Sequence, residues 1–332
     1  MNLPRATAED YIAFLVATPG EGTATEMGRC QPIRPNAPAH DAFTRLLNRL
    51  EPEPEALWEE VRPLLPADGV LVFDDTVLDK PFARHMGLVA WHWSGRHRRV
   101  VQGINLVTAL WTDGDALWPC DYRLVDKATS PDTKNGHLRA MLATAAGRGL
   151  RPRCVCFDAW YSGLDNLKAV RRHGWVFLTQ VRSNRRVNPD RTGNRSISEC
   201  GIAASGTVVH LEGFGLVKAF RIVATDGDTE HWVTNELGMD EATRLGLAER
   251  AWGIEEYHRG LKQHTAVDRC QTRMSNAQRN HIGFALRAFV RLEWHRFTTG
   301  VSWFAAKLGI IREAIRGFLT LPAFGLPQRA TA

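Results

Sequence analysis

Gly69-Val70-Leu71-Val72-Phe73-Asp74-Asp75-Thr76 is an apolar, valine-rich run that stops on paired carboxylates. A run of that kind predicts a buried strand whose end carries Asp74 to a sheet edge. Arg153-Cys154-Val155-Cys156-Phe157-Asp158 repeats the pattern and predicts a second buried strand, ending on Asp158. Between the two, residues 88–93, 100–110 and 117–124 read as strands, and 134–149 as a helix stopped by Gly149. After them, 165–173 reads as a helix terminated by Gly174, and 175–181 as a strand. Strands clustered early, followed by strand, helix and strand, predict an α/β chain with a mixed sheet, not a doubly wound parallel one.

Ahead of this core, residues 1–66 have the texture of short helices, in which a DNA-reading helix-turn-helix or a small bundle fits equally. Thr7 is a candidate N-cap for residues 8–16, and Asp41 for the helix that follows it. Pro52 and Pro54 interrupt before residues 55–62 resume. Residues 182–240 are rich in Arg, Asn, Gly and Thr and alternate at 207–211, 216–224 and 231–234, which predicts a β-rich insertion. Beyond residue 240 the chain is helical over 240–264, 276–297 and 303–321. The expected division is therefore 1–66 helical and possibly DNA-binding, 67–181 the first part of the core, and 182–240 the insertion. A core helix and its successor take 241–300, and a helical tail 301–332.

Composition narrows the function classes. The 332 residues are 44% apolar and 23% charged, enough to build a core. The net charge of +6 suits a polyanionic partner. Six scattered cysteines do not make a disulfide scaffold, and Cys154-Val155-Cys156 lacks the second pair a zinc site needs. No signal peptide and no apolar run long enough for a membrane span is visible, so a cytoplasmic, nucleoid-associated protein is expected. No Walker or Gly-x-Gly-x-x-Gly pattern follows a strand, so no nucleotide cofactor is expected.

A third acidic element stands in Trp252-Gly253-Ile254-Glu255-Glu256-Tyr257-His258-Arg259-Gly260-Leu261-Lys262. At helical spacing, Ala248, Ala251, Trp252, Glu255, Arg259 and Lys262 share a side, mixing an aromatic, an acid and two bases. A solvated Glu255–Arg259 pair accounts for this face on its own; a carboxylate facing a metal, with cations further along for phosphates, is the other reading. Carboxylates on two strands and a later helix are what a two-metal phosphodiester site requires, because hard divalent cations take oxygen ligands.

The ordered trio Asp74-Asp75-Thr76, Phe157-Asp158-Ala159-Trp160-Tyr161-Ser162 and Ile254 to Lys262 resembles bacterial insertion-sequence transposases of the DDE superfamily, in the branch with a β insertion between the second Asp and the Glu. The resemblance spans roughly residues 69–297. It implies an RNase H-like mixed sheet flanked by helices, interrupted by the β-rich insertion, with helical N- and C-terminal parts. It selects Asp74 over Asp75, matches Asp158, and selects Glu255 because Lys262 then falls in register. Asp75 and Glu256 are the fallback acids. The family's Tyr and Arg positions fall on Ala248 and Ala251, leaving Arg250 or Arg259 to supply those phosphate contacts. Trp232 resembles the insertion tryptophan that stacks on a flipped base in some relatives, although a core role fits it as well.

The resemblance further implies two Mg²⁺ (or Mn²⁺) ions on Asp74, Asp158 and Glu255. The implied partners are double-stranded DNA, as terminal inverted repeats and target, and a second copy of the chain in a homodimer on DNA. Arg96 to Arg99, with Arg98 and Arg99 foremost, together with Arg182, Arg185 and Arg186, fit a DNA path, as do Arg269, Arg273, Arg279, Arg287 and Arg291. The expected activity is cutting at element ends and joining the freed 3′-hydroxyls to target DNA. The alternatives are a catalytically silent DNA-binding descendant and a two-metal, structure-specific nuclease.

Overall fold

The computed structural model describes residues 5–20, 22–95, 97–223 and 227–321. Arg96, in the basic turn, and Ala224, at the end of an expected strand, lie outside them.

Four helices lead: α1 (Ala8–Ala17), α2 (Ala24–Arg29), α3 (His40–Arg49) and α4 (Pro54–Val61). The Thr7 hydroxyl accepts from the Asp10 amide at 3.1 Å and the Asp10 carboxylate accepts from the Thr7 amide at 2.9 Å, a reciprocal cap. Asp41 does not cap α3. That helix starts earlier, with Ala39 at the N-cap, and places Asp41 in its first turn, where the helix dipole favours an acid.

The core sheet contains β1 (Val70–Asp79), β2 (Ala90–Ser94), β3 (Arg99–Thr112), β4 (Leu117–Leu124), β5 (Cys154–Phe157) and β6 (Phe177–Val181). β3 is antiparallel to β1, β2 and β4, whereas β1, β5 and β6 run parallel. The parallel pairs are joined by crossovers through α5 (Lys134–Gly147) and α6 (Leu164–Arg172). The expected terminators Gly149 and Gly174 both adopt left-handed φ, at 79° and 72°. The mixed sheet is the one the sequence predicts.

The β-rich segment is not a lobe apart. It forms β7 (Arg186–Asn188), β8 (Arg195–Ser196), β9 (Thr207–Leu211), β10 (Gly215–Val223) and β11 (Thr229–Thr234). β11 pairs antiparallel with β6, from His231 opposite Val181 to Thr234 opposite Leu178, so the insertion prolongs the core into one 11-stranded sheet.

Three long helices follow: α7 (Glu241–His264), α8 (Ser275–Thr299) and α9 (Trp303–Thr320). α7 packs on β1 and β5. A Cβ on Gly253 would stand 2.7 Å from Leu117, and one on Gly260 2.4 Å from the Trp303 ring. These two glycines, two turns apart, let α7 lie close against β4 and α9.

The N-terminal helices pack onto the core. Tyr11, Phe43 and Trp58 belong to the same buried cluster as the sheet. Asn280 of α8 donates to the carbonyls of Leu47 and Leu50, each at 2.8 Å. Arg287 and Arg291, expected on a DNA path, reach back to Glu9 and Glu60 instead.

A fully buried carboxylate clamps the C-terminal helices to the sheet. Glu293 Oε1 accepts from the Leu117 amide at 2.6 Å and from Arg296; Oε2 accepts from the Trp303 indole and from Arg296 Nε, both at 2.8 Å. Removing it orphans several buried donors at once, which costs about 3–5 kcal/mol. Urea denaturation of Glu293→Ala is expected to show that loss in the midpoint with little change in slope.

Candidate active site

β1 and β5 pair in parallel with Val70 opposite Cys154 and Phe73 opposite Phe157. The next residues are Asp74 and Asp158. Asp74 does not end its strand as expected, since β1 runs on to Asp79. Asp158 lies just past the end of β5, and the equal register of the two parallel strands, about 4.8 Å apart, makes the two acids neighbours where β5 stops. Asp158 is fixed there as the cap of a short turn. Its Oδ1 accepts from the amides of Trp160 at 3.0 Å and Tyr161 at 3.3 Å, and its carbonyl accepts from the Thr179 hydroxyl at 3.2 Å.

α7 lays Glu255 over this pair. Asp74, Asp158 and Glu255 all line one cleft of about 870 Å³, together with Asp75, Lys134, Trp160, His258 and Lys262. Glu256 lies elsewhere: with Arg250, Trp252 and Arg296 it lines a separate groove of about 210 Å³. One residue is about 100° of helix, so adjacent glutamates face different sides. The shared face expected for Trp252 and Glu255 is therefore split, with Trp252 and Arg250 turned to the second groove. Arg259 is exposed and does not line the cleft. Lys262 does, and its ammonium donates to the Val77 carbonyl at 2.9 Å.

The two aspartates of β1 have unlike surroundings. Asp75 is saturated: its Oδ2 accepts from Asn105 and from the Lys134 ammonium, each at 2.6 Å, and its Oδ1 from the Tyr161 hydroxyl at 2.7 Å. Burial, and then the Asp75 charge, push the Tyr161 pKa far up, so that hydroxyl remains a donor. Asp74 has no such set. Burial raises its pKa well above the carboxylate range, and repulsion from Asp75, Asp158 and Glu255 adds to that, against the opposing pull of the Asp75 backbone. Asp158 is raised too, by burial first and by Asp75, against the opposing pull of the two amides.

His258 Nδ1 stands 3.7 Å from Asp74 Oδ2, beyond hydrogen-bond reach. Burial, with Lys262 nearby, lowers its pKa to about 3, so a neutral imidazole faces Asp74 and does not offset its charge. Among the described residues, no three metal-ligating side chains close into a ready-made cluster. The donor set is nonetheless all oxygen, and its mutual repulsion is what a hard divalent cation relieves; Mg²⁺ keeps several waters and needs few protein ligands. The residues present fit such an ion.

The remaining expected contacts scatter. Arg98, with φ at 48°, and Arg99 are exposed at the β2–β3 turn. Arg185 donates to the Ser162 carbonyl at 2.9 Å and so ties the insertion to the Asp158 turn, while exposed Arg186 donates to the Asn194 carbonyl. Trp232 packs partly against the core and donates to Glu230 at 3.0 Å, and it does not line the cleft. Arg279 pairs with Asp126. Sequence reasoning missed Lys134, Asn105 and His258; only His258 carried a signal, one helical turn after Glu255.

With the geometry in place, the family follows from comparison. A family model described as DDE superfamily endonuclease matches residues 4–197. The chain belongs to the DDE superfamily endonucleases. That match includes Asp74 and Asp158 and ends before α7, so Glu255 enters on geometry alone. Among solved structures, the chain resembles the piggyBac transposase in its cryo-EM synaptic complex with hairpin DNA. The TM-score is 0.52 at 11% identity, covering 98% of this chain and 76% of that one. At such identity the likeness is one of fold, and the mixed sheet flanked by helices is shared with that DDE transposase. No curated protein matches the chain.

An acid whose pKa is raised by folding binds its proton more tightly in the native state. Its contribution is present at low pH and is lost as pH rises through the folded value. Asp74→Asn in this DDE endonuclease is therefore expected to raise the ion-free melting temperature at pH 8, with the gain fading as pH falls towards 4. Added Mg²⁺ should raise the melting temperature of the parent protein more than that of the variant, measured by differential scanning fluorimetry with and without EDTA.

Proposed function

We propose that the chain is a DNA transposase that cuts at the ends of its mobile element and joins the freed 3′-hydroxyl ends to target DNA. The observation that carries this reading is the convergence of Asp74, Asp158 and Glu255 on one cleft, in a chain that belongs to the DDE superfamily endonucleases. These three residues would hold two divalent ions, Mg²⁺ or Mn²⁺. Bound there, the ions would activate the attacking water or 3′-hydroxyl and stabilise the leaving oxygen.

The chain's own side chains supply the rest. Asp75, neutralised by Lys134, Asn105 and Tyr161, anchors β1 beneath the site and stays out of the ligand set. Neutral His258 adds no positive charge of its own beside Asp74. Lys262, braced on the Val77 carbonyl, places a positive charge in the cleft within reach of a DNA phosphate, and exposed Arg98, Arg99, Arg182 and Arg259 extend that charge outward. The resemblance to insertion-sequence transposases supports action on terminal inverted repeats by a homodimer on DNA, in the bacterial cytoplasm. The synaptic complex of the piggyBac structure supports DNA as the partner. Among the described residues, no helix is long and apolar enough to cross a membrane.

The test is a labelled fragment carrying the inverted repeats that flank the chain's coding sequence, incubated with protein and Mg²⁺ or Mn²⁺. Nicking at the repeat boundary is expected. Asp158→Asn and Glu255→Gln should each lower its rate by more than the roughly 10- to 100-fold that loss of an outer-shell partner costs, while Glu256→Gln should leave it near the parent value. Equal nicking by the parent and Glu255→Gln overturns the assignment. Cutting with no strand-transfer product moves the reading to a nuclease. Tight binding without cutting in either metal moves it to a silent DNA-binding descendant.

A further inference from the structure

We propose that His258 supplies a nitrogen ligand, through Nδ1, to an ion held at Asp74, and that this ligand makes the site prefer Mn²⁺ to Mg²⁺. The inference rests on the metal-ion reading above and adds a residue to the same site. His258 follows Glu255 by three positions, so the two side chains stand on one face of α7, and both line the cleft. At this Glu-x-x-His spacing a helix can present a carboxylate and an imidazole to one dinuclear centre. The ring is held in place, being 5% exposed and packed on Tyr257 with 5.3 Å between ring centroids.

The imidazole is left unused by the protein itself. Nδ1 stands 3.7 Å from Asp74 Oδ2, too far for a hydrogen bond, and Nε2 is buried with no hydrogen-bond partner among the described residues. A histidine kept only for packing would be expected to engage at least one ring nitrogen. The 3.7 Å separation does suit two ligands of a shared ion. At about 2.1 Å each from a metal, such atoms lie about 3.0 Å apart at a right angle and about 4.2 Å apart when opposed. A ring nitrogen then sets the preference. Mg²⁺ takes oxygen and keeps its waters, so it gains little from Nδ1. Dimanganese carboxylate centres accept an imidazole at this spacing.

The test adds equimolar Mn²⁺ to the protein and reads the bound ion by electron spin-echo envelope modulation. The signature of a directly bound nitrogen is expected, changing when the protein is grown on isotope-labelled histidine and vanishing in His258→Gln. By calorimetric titration, His258→Gln should lower Mn²⁺ affinity by roughly 10-fold or more, at least what loss of an outer-shell partner costs, and leave Mg²⁺ affinity nearly unchanged. His258→Asn repeats the comparison with a smaller side chain in case the buried position rejects glutamine. Asp158→Asn should weaken both ions. Bound Mn²⁺ with no nitrogen signature, a signature that survives loss of the imidazole, or equal weakening of the two ions by His258→Gln overturns the proposal while the three-acid site stands. Mn²⁺ binding unchanged by Asp158→Asn overturns both.

Discussion

The constraint on which the site depends is the equal register of two parallel strands. Once Phe73 stands opposite Phe157, Asp74 and Asp158 must be neighbours, and the sheet then holds two like charges side by side at a partly buried edge. Hydrophobic burial of Val70 to Phe73 and Cys154 to Phe157 supplies the favourable free energy that keeps them there. β5 is buried along its whole length, so a one-residue slip would draw Arg153 or Asp158 into the buried register, and the core thereby fixes the electrostatics of the site.

The surroundings sort the acids by what they leave unsatisfied. Asp75 is given an ammonium, an amide and a phenol, and its charge is spent inside the protein. Asp74 is given a neutral imidazole at non-bonding distance and three acidic neighbours. The same strand thus carries one carboxylate that stabilises the fold and one that strains it. That asymmetry, not the bare number of acids, marks Asp74 as a place for a cation.

Much of this arrangement was legible in the sequence, and the limits have physical causes. Apolar runs closed by aspartate are strong signals, so β1, β5 and the mixed sheet could be read directly, as could the stops at Gly149 and Gly174. Which of Glu255 and Glu256 enters the cleft depends on the roll of α7 about its axis, which Gly253 and Gly260 set by close approach to Leu117 and Trp303. A helical face drawn at ideal spacing grouped Trp252 with Glu255, and packing separated them. The partners of Asp75 lie far off in the chain, at Asn105, Lys134 and Tyr161, and no local pattern announces contacts made by tertiary folding. The continuity of β11 with β6 was hidden for the same reason, because strand pairing across the insertion is a long-range event.

Net charge is the weakest guide of all. An excess of +6 invites the view that arginines on the late helices form a DNA track, yet Arg287 and Arg291 are held by Glu9 and Glu60, and Arg279 by Asp126. Those pairs fasten α1, α4 and the loop after β4 to α8, so their charge is already balanced before any ligand arrives. Among the described residues, Lys134 faces the cleft but is paired with Asp75, whereas Lys127 after β4, Arg182 after β6 and Lys262 late in α7 bring charge to the cleft or its rim from elements distant in sequence. A polyanion drawn to this chain is attracted by that convergence, and the total charge would be nearly the same if the convergence were absent.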